Sequence, residues 1–372
     1  MDIYYFSNIR FPSEKAHALY VDRAMRSFGG EGASVTVVAP RRFGRKQPCG
    51  DEPYQVVYLP TLDLFPLPIM RTWAFHVGAV AFALSAFVYA ALRIKKDAYV
   101  ITNDSVVAGL LSWMLPRVIW EVHDYPEKRQ KWYQWVACRA HRIMVNNKWK
   151  RERLIDDFGM DEKSVFVAHN GVDISFFQHV PSQKAARRRL GVPIGAMVAV
   201  YTGHLYSWKG VDTLARAASH MPEVQIYFVG GTERDLARMR ACHGSSSNVH
   251  FVGHRAHEEI PLWQAAADVL VLPNTAKEAI SLHYTSPMKL FEYLAGGRPV
   301  VASDIPSVRE VVDETCAILV PPDDARVLAE AILSAINADP LHTSQMISRA
   351  RERAACFTWS KRACDYLAAI AD

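Results

Sequence analysis

Short, almost wholly apolar runs alternate with helical stretches along the whole chain, and several of these runs stop at glycine. In the first half, Asp2–Ser7, Ser34–Ala39, Gln55–Leu59, Ala98–Thr102, the run from Arg117 that ends in His123-Asp124, Arg142–Val145 and Val165–Val167 read as strands. Met197–Thr202, Gln225–Val229, Val249–Val252, Asp268–Leu272 and Pro299–Ala302 do so in the second half. Strands that are apolar on both faces, with helices between them, dictate doubly wound parallel sheets covered on each side. At 372 residues the chain is long enough for two such α/β domains. The polar segment Gln178–Lys184, which contains Pro181, is the expected linker, placing the domains at 1–175 and 183–357.

In an open parallel sheet, ligands bind beyond the carboxyl ends of the strands. Gly203, Gly230-Gly231 and Gly253 follow strands there, lining one edge with backbone that a ligand can approach, and His204 and His254 come directly after two of them. Lys209 stands at the entrance of a helix from Val211, placed to meet a phosphate. The run Ser286–Ser303 reads as an N-cap serine, Pro287 in the first turn, an apolar face of Leu290, Phe291 and Leu294, a stop at Gly296-Gly297, and a buried strand. A helix N-terminus in that position is an anion site, with Glu292 one and a half turns in, within reach of a sugar hydroxyl; the same pattern also describes an ordinary crossover helix with a surface glutamate.

The first half offers its own candidates. The loop after the first strand carries Arg10 but no G-x-G-x-x-G, so a dinucleotide cofactor has little support. Lys15 and His17 begin the next helix, where they face either a substrate or solvent. His123-Asp124 ends a buried strand, as edge candidates or as a histidine tied to backbone. The basic, aromatic helix Glu127–Arg142 is either a docking face or half core, half solvated surface. Thr72–Leu92 contains no Asp, Glu, Lys or Arg and has the length of a membrane span. Strand runs on both sides favour a buried crossover helix, with an interfacial helix or a span as alternatives.

The net charge of +5 lies entirely in the first half, with 23 Lys and Arg against 18 Asp and Glu up to residue 180 and 20 against 20 beyond it. This suits an anionic partner or a membrane surface, and no nucleic-acid motif accompanies it. The six cysteines are scattered without a C-x-x-C pair, which suggests neither a zinc site nor a disulfide framework and fits a reducing compartment. The start, Met1 to Phe6, lacks a basic region before its apolar run and reads as a first strand rather than a signal peptide.

Taken in order, Asn170-Gly171-Val172-Asp173, Gly203…Lys209-Gly210, Val229-Gly230-Gly231, Ala267–Pro273 and Ser286–Ser303 resemble the retaining glycosyltransferases of family 4, over nearly the whole chain. The resemblance implies the GT-B fold: two facing Rossmann-like domains, with 358–372, entered by Phe357-Thr358-Trp359, crossing back to the first. It implies an acceptor site in the first domain and a nucleotide-sugar site in the second. Lys209 would neutralise the diphosphate, backbone near Met288 and Lys289 would take the distal phosphate, Glu292 would hold the ribose, and His123 would stand near the transferred sugar. The expected donor side is therefore Gly203, His204, Lys209, Gly230, Gly253, His254, Tyr284, Ser286, Met288, Lys289 and Glu292. The expected acceptor side is Arg10, Lys15, His17, His123 and Asp124, with His123, Lys209 and Glu292 as the catalytic set.

Two residues depart from the family pattern. Tyr284 stands eight residues before Glu292, where a first glutamate is expected, and His204 stands where a basic residue often follows the glycine. Tyrosine can donate to a sugar hydroxyl but carries no negative charge. The implied reaction is transfer, with retention, from a UDP- or GDP-linked sugar to a glycan or lipid-linked acceptor, in cell-surface polysaccharide synthesis on the cytoplasmic side of a membrane. No Asp-x-Asp metal clamp is present, and no metal or cofactor beyond the nucleotide sugar is expected. The alternatives are a nucleotide-sugar epimerase of the same fold and a non-catalytic nucleotide-sugar-binding protein.

Overall fold

The computed structural model describes residues 1–13, 16–41, 52–62, 71–125, 127–128 and 130–371, with the side chains of 16 and 71–76 left aside. It divides into two compact units, Met1–His169 with Trp359–Asp372, and Asn170–Thr358.

The first unit is built on a seven-stranded sheet of β1 (Asp2–Phe6), β2 (Ser34–Pro40), β3 (Gln55–Leu59), β4 (Tyr99–Thr102), β5 (Val118–Val122), β6 (Arg142–Val145) and β7 (Val165–Val167). Their spatial order is β3-β2-β1-β4-β5-β6-β7, every pairing is parallel, and the order reverses between β1 and β4. All residues of β4 and β5 are buried, which is why both read as unbroken apolar runs. The C-terminal helix Trp359–Ala371 belongs to this unit, where the Tyr366 ring meets Phe28 edge-on at 5.1 Å between centroids. The charge-free run forms the helix Arg71–Arg93, whose Phe82, Ala83, Ala86 and Ala90 are fully buried. Among the described residues no helix is long and apolar enough to cross a membrane.

The second unit carries six parallel strands: β8 (Met197–Thr202), β9 (Val224–Val229), β10 (Val249–Gly253), β11 (Val269–Leu272), β12 (Val300–Ser303) and β13 (Ile318–Val320). Their order is β10-β9-β8-β11-β12-β13, with the reversal between β8 and β11. Successive residues of β11 feed opposite cores: Leu270 and Leu272 enter one, Val269 and Val271 the other.

The expected linker is a correction. Residues of 178–184 lie inside the second unit, flanked by the helices Ser175–Gln178 and Gln183–Leu190, and the boundary falls between His169 and Asn170. The Gln183 amide donates to the Ala267 carbonyl and to Asp268 Oδ1, both at 2.8 Å, and the buried Arg187 guanidinium donates to Asp268 Oδ2 at 2.8 Å. These bonds tie a polar segment to the start of β11, and composition alone could not reveal them.

Candidate functional site

In the second unit the strand ends at the reversal are shaped by glycine. Gly203 follows β8 with φ 113°, and its amide donates to the Val229 carbonyl at 2.8 Å. Gly230 backs onto it so closely that a Cβ there would lie 2.4 Å from the Gly203 carbonyl oxygen. The Gly230 amide donates in turn to the Gly253 carbonyl at 2.8 Å, and His254 beyond it is exposed. Gly203, Gly230 and Gly253 therefore form one edge, as expected. The Tyr201 hydroxyl donates to the His204 carbonyl at 2.7 Å and folds the following loop back. The His204 ring stacks on Tyr206 at 5.0 Å, and burial together with the Lys209 ammonium lowers its pKa.

Two lysines meet this edge. The Lys289 side chain is buried, and its Nζ lies 3.7 Å from the centre of the Tyr201 ring and close enough to Gly203 that a Cβ there would be 3.3 Å away. That Nζ has no hydrogen-bond partner among the described residues. Burial and the charge of Lys209 push the Lys289 ammonium well below the ordinary lysine range, offset in part by Glu292. Burial also lowers Lys209, to about 8, and its Nζ sits 4.9 Å from the Trp208 ring centre. Gly210 sets the turn behind Lys209: with φ 68°, a Cβ on it would stand 1.7 Å from the Pro273 carbonyl oxygen.

The helix Met288–Ala295 starts at the same edge, held there by the Tyr293 hydroxyl, which accepts from the Thr202 amide at 2.7 Å. Pro287, not Ser286, occupies the N-cap, with extended ψ 104° and no side-chain cap bond. This corrects the serine-cap expectation: the Ser286 carbonyl accepts from the Asn170 amide at 2.7 Å, and its buried hydroxyl has no partner among the described residues. Met288 is half-buried in the first turn. Glu292 Oε1 lies 2.8 Å from Nε2 of His257, which stands in the turn His257–Glu259 after β10. Tyr284 closes a π-helical turn, Ile280–Tyr284, and is half-buried.

In the first unit a polar cluster sits where β1, β4 and β5 end. The His123 and His17 ring centroids are 5.2 Å apart. The Asn103 amide donates to His17 Nε2 at 2.8 Å, and Ser7 Oγ donates to Asn103 Oδ1 at 2.9 Å. Burial and the neighbouring His123 hold His17 down at about 4, so it is neutral at pH 7. Beneath them the fully buried Glu121 lies 3.1 Å from His123 Nε2 and accepts from the hydroxyls of Tyr5 at 2.8 Å and Tyr20 at 3.1 Å. Arg362, from the C-terminal helix, stands 3.8 Å from the same carboxylate. Burial raises the Glu121 carboxyl, but His123, Arg362 and Tyr5 outweigh it and hold the pKa at about 2. The His123 backbone carbonyl accepts from the buried Lys150 ammonium, which also donates to Asn146. Arg10 and Asp124 are exposed and share no hydrogen bond or ring contact with the histidine pair among the described residues. Lys15 lies outside the described residues.

Sequence reasoning did not single out His257, Glu121, Asn103, Lys150 or Arg362. Glu121 left a signal, a carboxylate inside the apolar run Val118–Val122, since such a group must find buried partners. The others acquire their roles from topology. Among the described residues, no group of three or more His, Cys, Asp or Glu is arranged to hold a metal ion.

Comparison with known proteins adds the following. The profile described as Glycosyltransferase Family 4 matches residues 17–176, and that described as Glycosyl transferases group 1 matches 196–338. A D-inositol 3-phosphate glycosyltransferase of Streptomyces bingchenggensis is 29% identical over 244 residues, 61% of this chain and 52% of that protein. One from Mycobacterium tuberculosis is 28% identical over 243 residues, 63% of this chain and 49% of that protein. The chain thus spans about half the length of these curated relatives. Among solved structures, sucrose-phosphate synthase from Thermosynechococcus elongatus superposes with a TM-score of 0.81 at 21% identity, covering 99% of this chain and 97% of that one. Anabaena HepE in complex with UDP-glucose superposes at 0.75 and 21% identity, covering 99% of both chains. These likenesses are of fold.

Proposed function

The chain belongs to the family 4, or group 1, glycosyltransferases, and from that premise we propose that it transfers a sugar from a nucleotide diphosphate to a hydroxyl acceptor. The observation that carries the reading is Lys289, a buried ammonium without a hydrogen-bond partner among the described residues, beside Lys209 at the edge lined by Gly203. A diphosphate supplies the negative charge that this pair lacks, through charge-assisted hydrogen bonds. The first-turn amides at Met288 and Lys289 add donors at the positive end of the helix. His257 orients Glu292, which supports a role for that carboxylate as acceptor of the ribose hydroxyls.

Breaking the bond between the anomeric carbon and the phosphate oxygen puts charge on the leaving diphosphate, and stabilising that charge is the main demand of the reaction. Lys209, Lys289 and the helix amides meet it, and the chain has no Asp-x-Asp clamp, so the proposal needs no metal and no cofactor beyond the donor. The acceptor hydroxyl attacks on the leaving-group face, giving retention, and its proton leaves on the departing phosphate oxygen. Glu121, buried and already bonded to His123 and two tyrosines, is not free to act as a nucleophile. His123, held through its side chain by Glu121 and its carbonyl by Lys150, orients the sugar or acceptor hydroxyls.

HepE has been seen with UDP and with UDP-glucose, which makes UDP the first nucleotide to try and GDP the second. A glycan or lipid-linked acceptor of cell-surface polysaccharide synthesis, met on the cytoplasmic face of a membrane, fits the basic first half of the chain. The test is to incubate the protein with UDP- and GDP-sugars and follow nucleotide release. Release only when an acceptor is added is the expected result. A changed sugar nucleotide without release would identify an epimerase. Tight binding with neither outcome would leave a non-catalytic binder, the reading that Tyr284 and His204 favour.

A further inference from the structure

We infer that the outer face of the Arg71–Arg93 helix docks the protein on an anionic lipid surface. The inner face of this helix packs on the sheet through Phe82, Ala83, Ala86 and Ala90. Its outer face carries Val77, Val80, Leu84, Phe87, Val88 and Leu92, each between 36% and 75% exposed. The spacing of these positions places them on one side of the helix, along several turns. Every other described helix exposes at most one large apolar side chain. A surface helix ordinarily turns polar residues outward, and an apolar stripe of this length on a single helix marks a contact surface. The inner face of the helix is already committed to the sheet through Phe82, Ala83, Ala86 and Ala90, so the outer face lies along its partner rather than through it.

Charge selects the partner. The Arg71–Arg93 helix contains no acidic residue, and it runs into the exposed Arg93, Lys95 and Lys96, three cations against the single exposed acid Asp97. The helix Ser105–Leu111 shares its core through Val106 and Val107. Just beyond that helix, Trp113 is 71% exposed with the Arg139 guanidinium over its ring at 5.5 Å. An apolar stripe running into basic side chains, with an exposed tryptophan on the same unit, is the make-up of a helix lying in a membrane interface, where basic residues meet anionic headgroups. A second copy of the chain offers the same stripe with no acidic residue on it to answer those cations.

This contact deepens the partner side of the proposed function, since a lipid-linked acceptor is met at a membrane, but it depends only on the helix face. Flotation of the full chain with vesicles of phosphatidylglycerol and phosphatidylcholine, against phosphatidylcholine alone, tests it. Wild type should float with the anionic vesicles, less so at high salt, and the double variant Leu84→Glu, Val88→Glu should bind them about tenfold more weakly or worse. Both positions are exposed, so the variant should melt where the wild type does and keep its thermal shift with UDP; that readout separates failure here from failure of the transferase reading. The inference is overturned if wild type does not float with anionic vesicles or if the variant floats equally well. It is also overturned if light scattering shows a wild-type dimer that the variant turns into a monomer.

Discussion

Both units gather buried charge where their strand order reverses, and they treat it in opposite ways. In the first, Glu121 is answered by His123, two tyrosine hydroxyls and Arg362. In the second, Lys289 lies almost as deep with no hydrogen-bond partner among the described residues, and the nearby Lys209 raises the cost of its charge. A satisfied buried charge fixes geometry, whereas an unsatisfied one lowers stability until something of opposite sign arrives. On the proposed function, the contrast is that between a positioning cluster and a binding cluster.

The sharpest way to break the comparison is Lys289→Met. It should raise the melting temperature of the unliganded protein, because a buried, only partly compensated ammonium is removed, yet weaken UDP binding by about 2–5 kcal/mol. Melts with and without UDP check both signs, and an undiminished ligand shift would put the diphosphate elsewhere. Glu121→Gln should do the reverse, destabilising the fold by about 3 kcal/mol in urea titrations because Arg362 loses its carboxylate, while UDP affinity stays unchanged.

A third test uses pH. Lys209 is lowered by burial from 10.5 to about 8, so between those values the unfolded chain holds a proton that the native state has released. Stability contributed by this group therefore rises with pH across that window, and the penalty is present in full below about 8. Lys209→Met, or saturating UDP, should flatten the rise in calorimetric stability profiles. The smallest expected effect is His257→Asn, which loosens Glu292: UDP affinity should fall about fivefold, in line with one hydrogen bond, and 2′-deoxy-UDP should lose less.

Much of the fold was legible because a strand buried on both faces is an unbroken apolar run, and those runs appeared in order. β13, Ile318–Val320, was not read, although the equally short β7 was. Gln178–Lys184 read as linker because the segment is polar and the anchors of Gln183, Ala267 and Asp268, lie far along the chain. Ser286-Pro287 satisfied the capping rule in letters, but the extended Pro287 took the cap position itself. Of the candidate site, Lys209, Glu292 and His123 were singled out through their places after strands and at helix starts. Their supports, His257 and Glu121, had no local signature beyond one carboxylate in an apolar strand. The charge-free run Thr72–Leu92 announced an apolar helix without saying which residues face outward, because a helix apolar all round has no phase to read.

The claim that matters most is that the Lys209–Lys289 edge holds a nucleotide by its diphosphate. Calorimetric titration of UDP and of uridine, with GDP and guanosine as the second pair, into wild type and Lys289→Met tests it directly. The account predicts that one diphosphate binds wild type far more tightly than its nucleoside and that the variant erases this difference. A nucleoside that binds as well as its diphosphate, or a difference that survives in the variant, would contradict it.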